Sequence, residues 1–317
     1  METVPCDLCG SERCSLAYSM PDRLFHPQEL FHVVECADCG LGFVNPRPSR
    51  AEMARFYPKA FYADFTENGD HHERRYREEA RYLEDLERTL PQRRLLDVGC
   101  AGGDFPRLMK SRGWEVEGVE PFAEAADPGF PVHRVGFPEF AVDAPTYDAV
   151  TAWAVFEHVH DPKAHFAKAS RVLKPGGRLV FLVTNFSSLA SRRLFAEDVP
   201  RHLYFFTEPA VRRYLEAAGL ELVRADYDNR IYSLPPRHWL HRGLRRAFGG
   251  ELSWPTPATY QEYLEGTGRT RSAASLLRYC LFSPVSVLDR VLLPLIERVQ
   301  IWRRTYGIVT YVARKPA

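Results

Sequence analysis

The amino-acid sequence predicts an α/β fold built on a parallel, doubly wound sheet. From residue 94 onward, short apolar runs alternate with helical stretches, which is typical of strands joined by helical crossovers. The predicted strands are 94–98, 115–120, 131–135, 148–153, 178–184 and 220–227. The predicted helices among them are 104–112, 162–173 and 208–218. A glycine-rich turn after the first strand and two Cys-x-x-Cys pairs near the N-terminus complete the outline.

The composition is that of a soluble globular protein. The 317 residues are 45% hydrophobic and 26% charged, which is ordinary for that class. The net charge of +1 gives no general attraction for nucleic acid, so we expect no nucleic-acid partner. The sequence shows no secretory leader and no apolar run of about 18 residues, so we expect a cytoplasmic protein.

The N-terminal segment, residues 1–48, is predicted to be a zinc ribbon. Its two Cys-x-x-Cys-Gly turns supply four thiolate ligands, which are Cys6, Cys9, Cys36 and Cys39. The glycine after each pair permits a turn in which backbone N–H groups face the thiolates. Four protein ligands leave no position for water, so the zinc would be structural. Iron in the same four-thiolate site is the alternative.

A charged connector, residues 49–91, follows the ribbon. Apolar residues recur at three-to-four spacing within 71–90, which predicts a helix that Pro91 ends. We interpret the charged residues of this helix as its solvated face.

The glycine-rich turn does not fit a dinucleotide site. That fingerprint requires glycine at positions held here by Gly99, Ala101 and Asp104, so two of three fail. The sequence instead reads Asp-x-Gly-x-Ala-x-Gly from Asp97 to Gly103. An acidic residue beside the turn disfavours a phosphate and favours a cationic group. A nicotinamide-dependent oxidoreductase is therefore the weaker alternative.

A second carboxylate, Glu120, stands at the end of the next predicted strand. A carboxylate at that place can accept hydrogen bonds from both hydroxyls of a ribose. The two acidic residues together indicate a site for an adenosine compound that carries no phosphate.

In the order of its motifs, the sequence resembles class I S-adenosylmethionine-dependent methyltransferases of the small-molecule branch (types 11, 12 and 23). The motifs that carry the resemblance are the turn at 97–103, YDAVTAWAVFEHVHDP, RVLKPGGRLVFLVTN, RHLYFFTEPAVRRYLEAAGLELVRAD and YGIVTYVARKP. They cover 94–230 and 306–316. The resemblance implies a Rossmann-like core over 92–230 and 305–317, with seven strands of which the last is antiparallel. The cysteine-rich start resembles a zinc-ribbon leader found in a bacterial subset of this family.

The resemblance also implies S-adenosyl-L-methionine as cofactor. By analogy, Asp97 would bind the methionine part, Glu120 the ribose, and the loop around Phe137 the adenine. The residues expected at the cofactor are Asp97, Gly99, Cys100, Ala101, Gly103, Glu120, Phe137 and Trp153.

Two histidines, His158 and His202, are the candidate general bases. Each follows a predicted strand of the parallel sheet, so both loops should face the cofactor. The alternative is that His158 supports its loop and His202 packs. Glu157 is expected to be structural or to orient the acceptor, and Arg201 is expected on the surface.

The acceptor is predicted to be a small molecule or saccharide, which could be lipid-linked, methylated on oxygen or carbon. Zinc ribbons also occur in RNA methyltransferases, but the Asn/Asp-Pro-Pro-aromatic motif of base methylation is replaced here by AWAVFEH. A binding module that retains cofactor affinity without turnover is a further alternative.

Residues 231–304 are predicted to be a helical insertion that leaves the cofactor edge of the sheet. Its last part carries an apolar stripe from Leu288 to Trp302, with a kink at Pro294. It is either a lid packed on the core or a lid whose apolar face contacts a membrane surface. Both alternatives make it a determinant of the acceptor.

Overall fold

The computed structural model describes residues 1–22, 25–58, 69–122, 128–188, 198–227, 292 and 295–317, with backbone alone for 69–73. The strands are β1 (Cys14–Pro21), β2 (Leu30–Cys36), β3 (Gly42–Val44), β4 (Arg94–Val98), β5 (Glu115–Val119), β6 (Val132–His133), β7 (Tyr147–Trp153), β8 (Leu173–Thr184), β9 (Tyr204–Phe205), β10 (Glu221–Asp226) and β11 (Ile308–Arg314). The α-helices are α1 (Arg50–Met53), α2 (Gly69–Ala80), α3 (Glu84–Thr89), α4 (Asp104–Ser111), α5 (Pro162–Val172) and α6 (Glu208–Ala217). Residues 295–302 are also helical. Most of the predicted insertion, including Pro294, lies outside the described residues. Within the described part of the chain, no helix combines the length and apolarity needed to cross a bilayer.

The central sheet has seven strands in the order β10-β11-β8-β7-β4-β5-β6. Strand β11 runs antiparallel to both of its neighbours, β10 and β8, whereas the pairs from β8 to β6 are parallel. This confirms the predicted Rossmann-like sheet with an antiparallel last strand. The loops after β4, β5, β7 and β8 consequently emerge at one edge of the sheet, where ligands bind in such folds.

Two apolar layers cover the central sheet. On one face, Phe156, Phe166 and Tyr214 form a ring cluster, with Phe166 4.8 Å from Phe156 and 5.1 Å from Tyr214 between centroids. The other face is covered by α2, α3, α4 and the turn between α2 and α3, whose buried residues include Leu83, Leu86, Phe105 and Met109.

The predicted helix 71–90 is interrupted. It consists of α2, one 3₁₀ turn over Arg81–Leu83, and α3. The interpretation of its charges as a solvated face is wrong for Glu79, which has no exposed area. Helical periodicity explains this burial, because Glu79 lies within four residues of buried Leu83 and beside buried Ala80.

The ribbon is joined to the methyltransferase-like core by shared structure. Its antiparallel sheet has the order β1-β2-β3-β9, and β9 is supplied by the core chain after β8. The ribbon's Arg47 is buried and donates hydrogen bonds to the carbonyl of His160 (2.9 Å) and the hydroxyl of Tyr204 (2.8 Å). Asp7 accepts one from the hydroxyl of Tyr214 at 2.7 Å. Ribbon and core also share one hydrophobic cluster, so the ribbon has a fixed position against the core.

Gly118 in β5 tests how tightly the turn after β4 packs on the sheet. A Cβ added there would lie 2.5 Å from the Sγ of Cys100 and 3.3 Å from the Cε2 of Phe130. We expect Gly118→Ala to lower the free energy of unfolding by about 1–3 kcal/mol through overpacking. Urea denaturation monitored by circular dichroism measures this change.

Gly102→Ala is the matched control, since the nearest atom to its added Cβ is 4.0 Å away. The double variant Gly118→Ala/Cys100→Ala should regain much of the lost stability, because it removes the clashing sulfur. Equal stability of all three variants and the wild type would contradict this packing.

Candidate active site

The turn after β4 adopts a strained left-handed path. The φ angles of Gly99, Ala101 and Gly103 are 71°, 46° and 80°. A Cβ at Gly99 would lie 2.5 Å from the Cγ2 of Val155, so glycine is required there by space as well as by conformation. Ala101 adopts positive φ although it is not glycine, which costs about 1–2 kcal/mol. Such strain is concentrated at ligand sites, and it holds the backbone of this turn exposed at the sheet edge.

Asp97 is a buried carboxylate beside that turn. It is 3% exposed and accepts a hydrogen bond from the Oγ1 of Thr151 at 2.5 Å. Burial raises the pKa of Asp97 well above its ordinary value; the Thr151 bond opposes this rise, and the charge of Glu79 adds to it. Thr151 was not found from the sequence, although the parallel register pairs it directly with Asp97.

Glu120 occupies the predicted position at the end of β5. Its two carboxylate oxygens accept backbone hydrogen bonds from Ala101 N at 3.2 Å and Phe122 N at 3.1 Å. These bonds fix the carboxylate against the turn, and each oxygen has a second lone pair for a ligand hydroxyl.

Glu79 adds a third carboxylate to this region. Its Oε1 accepts a hydrogen bond from the Nε of Arg75 at 2.8 Å. Burial nevertheless raises the pKa of Glu79 to about 7, with Arg75 opposing. The charge of Glu79 acts on Asp97 together with that of Glu120. A cationic ligand would relieve this concentration of negative charge.

Three other predicted cofactor residues bury their side chains. Cys100 is 6% exposed, and its sulfur lies against Gly118, so its backbone is the part at the turn. Trp153 packs edge-on against Phe105 with centroids 5.3 Å apart. Phe137 packs against His165 at 6.0 Å. A contact of the Phe137 or Trp153 ring with a cofactor stays a prediction.

The structure brings the two predicted histidines together. The rings of His158 and His202 are edge-to-face with centroids 4.6 Å apart. The Nδ1 of His158 is 3.0 Å from the carbonyl oxygen of Arg201 and 2.9 Å from the hydroxyl of Tyr57. Because a carbonyl only accepts, Nδ1 carries the proton and Nε2 the lone pair. Burial, followed by the charge of His202, lowers the pKa of His158 to about 3, so this ring is neutral near pH 7.

Arg201 is not on the surface, contrary to the sequence expectation. Its side chain has no exposed area and bonds Asp22 at 2.9 Å and Asp198 at 2.8 Å. Two carboxylates compensate the buried guanidinium, which explains how it leaves solvent. Burial opposes ionisation of Asp198, but the bond from Arg201 lowers the pKa of Asp198.

Two groups of residues in the described part of the chain could hold a metal. The ligand atoms of Glu157, His158 and His202 lie within 4.8 Å of one another, as do those of the four cysteines. The first group contains both histidines of the pair, and its carboxylate oxygen and imidazole nitrogens could bind a proton or a divalent cation.

The four cysteines fit a tetrahedral metal. Sulfur–sulfur distances are 3.4 Å for Cys6–Cys39 and 3.6 Å for Cys9–Cys36. Zinc with bonds of about 2.3 Å sets such sulfurs roughly 3.8 Å apart. Gly10 and Gly40 have φ of 75° and 71°, and their N–H groups bond the carbonyls of the first cysteine of each pair at 2.7 and 2.9 Å. Zinc in this cluster stays a prediction supported by the geometry.

Comparison with known proteins gives the family. A model of the methyltransferase domain matches residues 71–225. A ubiquinone biosynthesis O-methyltransferase of Aromatoleum aromaticum is 30% identical over 176 residues, which are 47% of this chain and 75% of that protein. Another, of Alkalilimnicola ehrlichii, is 36% identical over 108 residues, which are 30% of this chain and 43% of that protein.

A solved structure with a similar arrangement is the 1,6-didemethyltoxoflavin-N1-methyltransferase of Burkholderia thailandensis. It has 14% identity and a TM-score of 0.48, covering 89% of this chain and 98% of that one. The chain belongs to the class I S-adenosylmethionine-dependent methyltransferases that act on small molecules. This membership excludes the nicotinamide-dependent oxidoreductase.

The variant Glu79→Gln tests whether burial raises the pKa of Glu79. A folded-state pKa raised from 4.5 to about 7 means that the folded chain binds the Glu79 proton more tightly than the unfolded chain. Stability of the ligand-free wild type is therefore lost as pH rises from about 4.5 to about 7. Glu79→Gln should remove this loss, with a relative gain of up to about 3 kcal/mol above pH 7.

Denaturant unfolding across this pH range measures the difference. Glu78→Gln, one position earlier on the same helix, is the control, since Glu78 pairs with exposed Arg81. A difference between Glu79→Gln and wild type that does not grow with pH would contradict the raised pKa.

Proposed function

We propose that this enzyme methylates an oxygen of a small hydroxylated molecule, with Asp97 and Glu120 holding the cofactor and His202 accepting the proton. The observation that carries the proposal is the placement of two groups at one sheet edge. Asp97 is the next-to-last residue of β4 and His158 follows β7, and these strands are adjacent and parallel. A cofactor at the first loop and an acceptor at the second would therefore be neighbours.

The cofactor assignment is supported by charge. In this proposal, Asp97 accepts hydrogen bonds from the ammonium of the methionine part, and Glu120 accepts those of the ribose hydroxyls. The turn at 99–103 presents its backbone to the ligand. S-adenosylmethionine, when bound, supplies a methyl group on a positively charged sulfur, and the buried carboxylates favour that charge.

The division of labour between the histidines follows from their surroundings. The low pKa of His158 makes it a poor proton acceptor, and its Nδ1–H is held by the Arg201 carbonyl. We therefore assign proton acceptance to His202 and the orientation of its ring to His158. In this assignment, His202 would take the proton of the acceptor hydroxyl while the bound cofactor supplies the methyl group to that oxygen.

Oxygen is favoured over carbon as the acceptor atom because the relatives are O-methyltransferases by name. A lipid-linked or saccharide acceptor is the second candidate. It is supported by the apolar stripe of the last helical segment, where Leu295, Val299 and Trp302 are 54%, 51% and 78% exposed. Screening with labelled methyl donor should compare phenols, free saccharides and polyprenyl-linked acceptors.

Asp97→Asn and Glu120→Gln should each weaken binding of S-adenosylmethionine. Loss of one charge-assisted hydrogen bond costs about 1.5–3 kcal/mol, which is roughly ten- to a hundred-fold in affinity. Isothermal calorimetry measures the change.

The control is Glu115→Gln, an exposed carboxylate at the opposite end of β5 from Glu120. Wild-type affinity in both Asp97→Asn and Glu120→Gln would refute the assigned cofactor site.

His202→Gln should lower the rate of methyl transfer by about a hundred-fold or more, because a general base is removed. Affinity for S-adenosylhomocysteine should stay at the wild-type level. Steady-state kinetics with the acceptor found by screening measures the rate of methyl transfer, and calorimetry measures the affinity for S-adenosylhomocysteine.

His32→Gln serves as the control, since His32 bonds Ser19 in the ribbon. Full turnover in His202→Gln would rule out its role as base. Turnover that requires added divalent metal would also contradict it, and would assign Glu157, His158 and His202 to a cation.

A further inference from the structure

We propose that Asp22, a residue of the ribbon, is a positioning residue that fixes the tautomer of His158 through Arg201. The inference rests on the proposed role of the His158–His202 pair. It makes the ribbon part of the acceptor side of the active site.

Asp22 lies just after β1 and has no exposed side-chain area. Its Oδ2 accepts a hydrogen bond from the backbone N–H of His26 at 3.1 Å. Its backbone N–H bonds the carbonyl of Glu29 at 3.2 Å. These two bonds hold the carboxylate in the ribbon hairpin, from which Oδ1 accepts the Nη2 of Arg201 at 2.9 Å.

Arg201 joins three separate segments of the chain. Besides Asp22, its guanidinium bonds the carboxylate of Asp198 at 2.8 Å and the carbonyl of Phe56 at 3.2 Å. The ring of Phe25 lies 5.5 Å from its Cζ. The planar guanidinium of Arg201 therefore holds three segments together, which are the ribbon hairpin, the connector and the loop at 198–203. Its bonds require all three partners to be in place.

The backbone of this loop orients both histidines. The carbonyl of Arg201 accepts the Nδ1–H of His158 at 3.0 Å, and the carbonyl of Asp198 accepts the backbone N–H of His202 at 2.7 Å. Tyr57, whose hydroxyl also lies within hydrogen-bond distance of the Nδ1 of His158, is the residue after Phe56 in the chain. The position of the Arg201 guanidinium thus fixes the position of the Arg201 carbonyl. That carbonyl is the acceptor that selects the tautomer of His158.

Removing the charge of Asp22 should displace Arg201 and weaken the hydrogen bond between its carbonyl and His158. In Asp22→Asn the buried guanidinium loses one of the two carboxylates that compensate it in the described part of the chain, and a poorly compensated buried cation is unfavourable. Displacement of Arg201 withdraws its carbonyl from His158. The imidazole then populates both tautomers, and in one of them the lone pair of Nε2 is lost.

The test is nitrogen NMR of the full chain labelled with ¹⁵N-histidine, recorded with and without S-adenosylhomocysteine. His158→Gln identifies the His158 signals. The wild type should show one tautomer, protonated at Nδ1, with slow exchange of that proton. Asp22→Asn should show a tautomer mixture and exchange about tenfold faster or more. Glu29→Gln, which breaks the exposed ion pair with Arg55 in the same hairpin, should match the wild type.

A His158 that keeps a pure Nδ1–H tautomer and slow exchange in Asp22→Asn overturns the proposal. If that variant does not fold, Arg201→Lys provides the second test. An ammonium keeps the charge but lacks the planar group whose Nε, Nη1 and Nη2 bond Asp198, Phe56 and Asp22 separately. An unchanged tautomer in Arg201→Lys also overturns it. The spectra do not depend on methyl transfer, so this outcome is separate from failure of the proposed function.

Discussion

The proposed cofactor site is organised around a buried carboxylate, Asp97, whose hydrogen bond in the described part of the chain comes from no charged group. Asp97 is 3% exposed, and in the described part of the chain its hydrogen-bond partner is a neutral hydroxyl, that of Thr151. Glu79 and Glu120 act on it with charges of the same sign, against one arginine, Arg75. Burying such a group costs folding free energy. In the proposed site, a cofactor with an ammonium and a sulfonium would recover that cost on binding, whereas a pyrophosphate would increase it.

The proposed acceptor side differs from the proposed cofactor site, because its buried charge is the cation of Arg201. Arg201 is compensated by Asp22 and Asp198, and the compensation comes partly from the ribbon. The ribbon also supplies Arg47 to the core and receives β9 from it. Its position therefore depends on the same loop that carries His202. Through these contacts, the predicted zinc ribbon would influence the proposed acceptor site.

Local patterns made much of this structure predictable. Strand and helix periods located the central elements to within a few residues, and paired cysteines with a following glycine predicted the thiol cluster. Asp97 and Glu120 could be found because each ends a recognisable strand. Their partners could not, since Thr151 is 54 positions from Asp97 and Asp22 is 179 positions from Arg201. From the sequence alone, an arginine such as Arg201 is expected on the surface. Its burial depends on the carboxylates of Asp22 and Asp198, and the fold is needed to bring Asp22 near.

The central claim is that ionised carboxylates recognise the cationic cofactor, and proton linkage tests it most directly. Calorimetry of S-adenosylmethionine binding near pH 6 should be repeated in buffers of different ionisation enthalpy. Because the pKa values of Asp97 and Glu79 are raised in the ligand-free protein, the account predicts that binding releases protons and that its enthalpy varies with the buffer. It also predicts tighter binding as pH rises. Binding that releases no proton, with affinity independent of pH, would contradict it.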